Sequence, residues 1–437
     1  MIAVHWFRRD LRLEDNSALT MALMSDLPVL PLFIFDTNIT EELPPDDARI
    51  TFIYNTLKNI NTQLTTRGSG VLVIKGDPVK VWEELISEYH ITKVFFNSDY
   101  EPYARERDHK ITKMLARRQI DVLQVKDQVI FEKNEILKPD GDPYTVFTPY
   151  KRRWLEKFNS EGFTTRNAIT SERFMQGIPR FPALREMGFR ESGIKVRKWD
   201  LSQLNNYATL RNIPAADSTS YLSPHLRFGT VSIRQILNMV YKDHEAFTSE
   251  LIWREFFMQI LYHFPDVVSG NFRSKYDHIP WRNNEEEFEL WCKGETGYPM
   301  VDAGMRQLNE TGYMHNRVRM VTASFLCKHL LIDWRWGEAY FAKKLLDYEL
   351  SSNNGNWQWA AGTGCDAAPY FRVFNPMEQQ RKFDKDESYI KRWIPEYGTD
   401  DYPGEMVEHK YARERALREY KRGIMFKLPS NRQGQNG

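Results

Sequence analysis

A change of hydrophobic period divides this chain. From the amino terminus to Phe131, short apolar runs rich in Val, Ile and Phe ("IAVHWF", "LPVLPLFIFD", "GVLVIKG", "ITKVFFNSD", "IDVLQVKDQVIF") alternate with amphipathic stretches such as "ARITFIYNTLKNINTQLTTRG" and "DPVKVWEELISEYH". Such runs suit parallel strands buried on both faces, and their alternation with helices predicts a doubly wound α/β domain over residues 1–131. From Leu201 onward strand patterns vanish and helical periods dominate, as in "SELIWREFFMQILYHF" and "HNRVRMVTASFLCKHLL". Residues 201–437 are therefore expected to form an all-α domain. Between the two, "LKPDGDPYTVFTPYKRRW" holds turn residues and a basic run, and "GIPRFPALREMGFRESGIKVRK" is broken by Pro and Gly. Residues 132–200 thus read as a long surface connector with little regular structure. The polar end "FKLPSNRQGQNG" is expected to fray.

Composition narrows the function. A net charge of +1 provides no long-range field, so a polyanionic partner must meet a local basic patch. Cys292, Cys327 and Cys365 are widely spaced, which predicts no disulfide framework, no metal site and a reduced, cytoplasmic compartment. No apolar stretch is long enough to cross a membrane, and "MIAVHWF" enters a strand-like run rather than a signal peptide. The α/β half carries neither GxGxxG nor GxxxxGK[ST]. Aromatic residues make up 14%, and eight of the 12 tryptophans lie from Trp253 onward, where they fill a core or stack on a flat ring.

Four constellations stand out. In "DSTSYLSPHLRF", the hydroxyls of Ser218, Thr219, Ser220 and Ser223 precede Pro224, either as an anion site at a helix start or as plain capping. Glu250 and Trp253 share a helical face, which suits a flat ring with polar edges, or simply a first-turn acid beside a core indole. Asn316 and Met320 share another face, while Arg319 would need a carboxylate if buried, for which Asp347 is a candidate. In "NNGNWQWAAGTG", Trp357 and Trp359 should point to opposite sides of a helix behind Asn353, and core filling does not explain the amides.

Together with "HWFRRDLRLEDN", "TGYPMVDAGMRQLNETGYMHNRVRM" and "NNGNWQWAAGTGCDAAPYFRVFNP", these residues resemble the photolyase/cryptochrome family over nearly the whole chain. The resemblance implies an amino-terminal α/β antenna domain and a helical domain holding FAD. It puts Tyr207, Thr219, Ser220, Tyr221, Leu222, Ser223, Asn316, Arg319, Asp347, Glu349 and Asn353 around FAD, with Asn353 at the flavin N5. It makes Trp357, Trp334 and Trp281 an electron path to the surface. Among the family's branches, Glu250, Trp253, Asn316, Met320 and Trp359 match the pocket of the microbial class I enzymes that split cyclobutane pyrimidine dimers with light.

That branch implies UV-damaged DNA as partner, a lesion flipped out of the duplex, and repair by electron transfer from excited reduced FAD. Trp253 and Trp359 would clasp the lesion, and Glu250 would bond its base edges, as a protonated acid in a dry site. Arg211 matches an arginine near the DNA phosphate and the pocket acid. Arg317, Arg372 and the run Lys151–Arg153 would form a basic rim. A signalling cryptochrome and a (6-4) photoproduct photolyase are the rival readings. The segment "DYEPYARERD" has Tyr103 and Ala104 where folate-binding members carry Asn-Glu, which favours a deazaflavin or flavin as second chromophore. A monomer is expected.

Overall fold

The computed structural model describes residues 1–165 and 173–426; the tail from 427 onward, expected to fray, lies outside them. Strands β1 (Ile2–Phe7), β2 (Val29–Asp36), β3 (Leu72–Gly76), β4 (Ile91–Asn97) and β5 (Asp121–Val125) form a parallel sheet in the order β3-β2-β1-β4-β5. All eight residues of β2 are buried, which is why "VLPLFIFD" shows no alternation. The helices around the sheet begin at legible signals: Asn16, Asp47 and Asp77 each cap a following helix, and Pro78 occupies the first turn after Asp77. The order reverses on either side of β1, so its carboxyl end opens at a topological switch point.

Residues 201–426 are helical, as expected, around a core that includes Trp291, Phe325, Leu326, Trp334 and Trp357. The connector departs from expectation. It contains the 15-residue helix Phe147–Glu161, which buries Phe147, Tyr150, Trp154 and Phe158 in the helical domain. Beyond it, Phe174, Met187 and Phe189 are buried in the α/β core. Pro149 does not break this helix, because in the first turn its missing N–H costs no hydrogen bond.

The two halves meet along an ionic seam. Arg9 bonds Asp99 at 3.2 Å and Glu101 at 3.1 Å within its own domain, and Glu349 across the boundary. Arg234 reaches back to Asp15 at 2.9 Å and Asp127 at 2.8 Å, and Arg12 bonds Asp127 at 2.7 Å. Burial would raise the Asp127 carboxyl, but Arg12 and Arg234 hold it down at about 2. Gly229 lets the backbones touch: its φ is +63°, and a Cβ there would lie 2.0 Å from the Arg9 carbonyl oxygen.

Candidate functional site

A cavity of about 470 Å³ opens among the helices Glu245–His263, Asn316–Ser324, Trp334–Lys344 and Leu350–Ala361. A second, of about 360 Å³, adjoins it through a shared wall that includes Tyr207, Ser220, Leu222, Ser223, Asn316, Arg319 and Asp347. Such volumes suit an organic cofactor.

Between these cavities runs the hydroxyl-rich loop. The helix Ser223–Phe228 has Leu222 at its N-cap and no side-chain cap bond, so plain capping does not account for the hydroxyls. Ser223 Oγ instead donates to Asp347 at 2.7 Å. Asp347 is also the carboxylate that Arg319 required, accepting from Arg319 Nη2 at 2.9 and 3.2 Å. Thr219 and Tyr221 face only the second cavity. Tyr221 adopts a left-handed backbone (φ +51°), and its hydroxyl bonds Asp217 and Arg197. His315 caps the helix Asn316–Ser324 by accepting at Nδ1 from the Arg317 N–H at 3.2 Å. Burial, then Arg319 and Arg317, push it down to about 4, and its buried Nε2 has no partner among the described residues.

The first cavity gathers Glu250, Trp253, Asn316, Met320 and Trp359. Glu250 is less dry than expected. Its carboxylate pairs with Arg211 at 2.7 Å and its side chain is 35% exposed. Burial and the Glu250 charge together push the neighbouring Tyr207 hydroxyl up to about 12. Asn353 Nδ2 donates to the Glu338 carbonyl at 3.1 Å and to Glu338 Oε1 at 2.8 Å. Both acceptors of that nitrogen belong to Glu338, which fixes the amide at the wall of the first cavity. Burial raises the Glu338 carboxyl against the opposing bond from Asn353.

Glu349 also lines the first cavity, yet its carboxylate is bound by Arg9 and, at 3.4 Å, by Arg254. Burial would raise it, but Arg254, Arg9 and Arg227 outweigh that and lower it. Trp357 and Trp334 are buried in one core, with Trp281 packed against it. Among the described residues, the rings meeting Trp357 are Phe341 at 4.9 Å and Trp291 at 6.1 Å, rather than Trp334. Trp291 passes on to Phe288 at 5.7 Å, and Phe288 to Trp336 at 5.2 Å. The indole N–H of Trp334 donates to Asn271 at 2.9 Å, and Trp281 meets Tyr420 edge-on at 5.7 Å.

Around the cavities, Arg152, Arg153 and Arg372 are exposed, and Lys151 pairs with Glu245 at 3.2 Å. Arg317 donates to Asn212 at 2.7 Å and lies 4.4 Å over the Phe383 ring. Sequence reasoning missed Glu338, Arg254, Tyr313 and Phe341, all of which line the cavities or orient residues that do. It also missed Glu255, one helical turn beyond Leu251, which accepts from the Trp154 indole at 2.6 Å and the Ile130 N–H at 2.7 Å. Burial pushes that carboxyl up to about 7.

At the carboxyl ends of β2 and β4, the Tyr103 hydroxyl donates to Asp36 at 2.6 Å, and the Arg107 guanidinium lies 4.9 Å over Trp6 and 5.8 Å over Tyr103. Among the described residues no helix is long and apolar enough to cross a membrane, and no group of three or more metal-ligating side chains is found. All three cysteines are free.

Comparison with known proteins adds family and fold. The family model described as "FAD binding domain of DNA photolyase" matches residues 247–399, and that described as "DNA photolyase" matches residues 3–169. The deoxyribodipyrimidine photo-lyase of Escherichia coli is 36% identical, over 95% of this chain and 97% of its own. That of a Synechococcus species is 35% identical, over 92% and 93%. A class III photolyase from Agrobacterium tumefaciens superposes with a TM-score of 0.86 at 33% identity, covering 97% of each chain. An archaeal photolyase from Sulfolobus tokodaii, solved with two FAD molecules, gives 0.83 at 34% identity, covering 97% of this chain and 100% of its own.

Proposed function

Because this chain belongs to the DNA photolyase family, we propose that it binds FAD in its helical domain and uses light to split cyclobutane pyrimidine dimers in DNA. It is a lyase acting on a carbon–carbon bond. One observation carries the reading furthest: a single cavity holds Glu250, Trp253, Asn316, Met320 and Trp359 beside the Arg319–Asp347 pair and Asn353.

The residues present fit FAD. The two adjoining cavities, the loop hydroxyls, the His315 Nε2 left without a partner among the described residues and the fixed amide of Asn353 suit a cofactor with one flat heteroaromatic end and one anionic middle. Ser220, Leu222 and Ser223 would hold the phosphates, joined by Thr219, Tyr221 and Tyr207; Arg319, Asp347, Asn353 and Asn316 would hold the ring system. Glu349 would act from behind, by fixing Arg254 at the cavity wall. Bound and reduced, FAD supplies the electron that light drives into the lesion and that returns after the ring opens.

The chain's own residues do the rest. Trp253 and Trp359 offer apolar ring surface to a flipped dimer, and Met320 fills the wall. Arg211 holds the Glu250 carboxylate at the cavity mouth, where it can accept from base N–H edges. Asn316 can donate to a pyrimidine carbonyl. Arg152, Arg153, Arg317 and Arg372 would meet flanking phosphates. Trp357 would begin the path that resupplies electrons.

A second chromophore, a deazaflavin or a flavin, would sit at the carboxyl edge of the sheet near Tyr103 and Arg107. Free cysteines support a cytoplasmic protein, and the monomer is tested by light scattering. The decisive assay uses reduced protein, an oligonucleotide with one thymine dimer, blue light and a dark control. Light-dependent recovery of thymine is the expected result. No recovery with FAD bound and reduced would shift the reading to the (6-4) lesion or to signalling.

A further inference from the structure

The tightest stacked ring pair along the first cavity is formed by a residue of the connector. Phe147, at the start of the helix Phe147–Glu161, lies parallel to Trp253 with centroids 3.6 Å apart and planes 9° from parallel. Phe147 is 7% exposed and also meets Phe256 edge-on at 5.8 Å, so its ring is held. Its backbone N–H donates to Asp366 Oδ2 at 3.1 Å. Asp366 lies seven residues beyond Trp359, just past the turn that ends the helix Leu350–Ala361. One hydrogen bond thus ties Phe147 to the segment that follows the helix bearing Trp359.

We propose that Phe147, fixed by Asp366, is a positioning residue for lesion recognition. It covers one face of the Trp253 indole, which Phe257 also meets at 5.5 Å with planes 28° apart, and leaves the part of the ring that lines the cavity for the pyrimidine dimer. The physical argument is entropic as well as geometric. A partly exposed indole free to turn about its side-chain bonds must be ordered when a ligand arrives, and a ring already stacked on it removes much of that cost. A covered face also cannot accept an undamaged base, which narrows what the cavity admits. The inference rests on the repair reading given above.

The test is a double-mutant cycle on lesion affinity, in the dark, with FAD-loaded protein. The parent protein is first compared on duplexes with and without one thymine dimer; failure to discriminate would overturn the repair reading itself. Given discrimination, Phe147→Leu should weaken lesion binding roughly fivefold to tenfold. Binding to undamaged duplex and FAD content should hold, and Phe147→Tyr should restore most of the loss. In a Trp253→Ala background, Phe147→Leu should change lesion affinity little. Equal losses on both duplexes, or the same loss with Trp253 absent, would overturn the proposal. If Phe147→Leu fails to fold, Asp366→Ala carries the same cycle: loss of discrimination in the parent but not in Trp253→Ala supports the tie, and an unchanged ratio overturns it.

Discussion

At the residue scale, the amide of Asn353 shows how a neighbour determines what a side chain can offer. Glu338 accepts from its Nδ2 at two oxygens, which fixes the amide at the cavity wall. Glu338→Ala should free the amide to rotate, and the absorption spectrum of bound FAD and its reduction potential should both shift while the cofactor stays bound. An unaltered spectrum and potential would mean that something else orients Asn353. Glu250→Ala should lower the repair quantum yield by roughly tenfold or more, with FAD content little changed. Equal losses of both would make Glu250 a structural residue.

The same scale shows what could be read without coordinates. The Arg319–Asp347 pair is legible because a guanidinium set in a helix wall needs a carboxylate, and the pair forms with the Asp347 side chain 7% exposed and that of Arg319 28%. The Glu338–Asn353 pair is not, since nothing in the text of two separate helices announces an amide–carboxylate contact between them. The dry site expected for Glu250 came with the resemblance, which also put Arg211 near the pocket acid; local spacing alone does not reach that ion pair, because Arg211 ends a different helix.

At the element scale, the fold was legible where a period persisted, in the all-buried strand β2 and in the long helices after Leu201. It was illegible in "DPYTVFTPYKRRW", where Pro149 and a short apolar stripe concealed a helix. The aromatic residues pose a question at this scale too. Ring contacts run from Trp357 through Trp291 and Phe288 to Trp336. Trp357→Phe should abolish photoreduction of oxidised FAD and spare repair by pre-reduced protein. Comparing Trp334→Phe with Trp291→Phe by transient absorption then tells which neighbour of Trp357 carries the charge. Full-rate photoreduction in Trp357→Phe would remove it from the path.

At the scale of the whole molecule, the ionic seam makes stability depend on acidity. Asp127 has its folded value depressed to about 2 from an ordinary 3.8. Its contribution, on the order of 2 kcal/mol, is complete above about pH 4 and is lost as pH falls through about 2, because the unfolded chain binds the proton first. Asp99 and Glu349 are lowered by the same seam and act in the same direction. Denaturant melts from pH 6 to pH 2 should show that decline, and Asp127→Asn should flatten it. Lesion affinity should fall with salt at a log–log slope of roughly −0.9 per phosphate neutralised on duplex DNA. Gly229→Ala should cost more than about 1 kcal/mol, since neither its φ nor its distance to Arg9 tolerates a side chain.

The bond between Arg9 and Glu349 also bears on how such a chain can be inherited or engineered. Glu349 borders the catalytic cavity, yet its charge is neutralised in part by the other domain. A gene fragment encoding the helical half alone would leave that carboxylate without Arg9, and Arg234 without Asp15 and Asp127. The boundary visible in the text is therefore no cut site. Swapping the α/β half for a foreign light-gathering module would require carrying Arg9, Asp15 and Asp127 along with it.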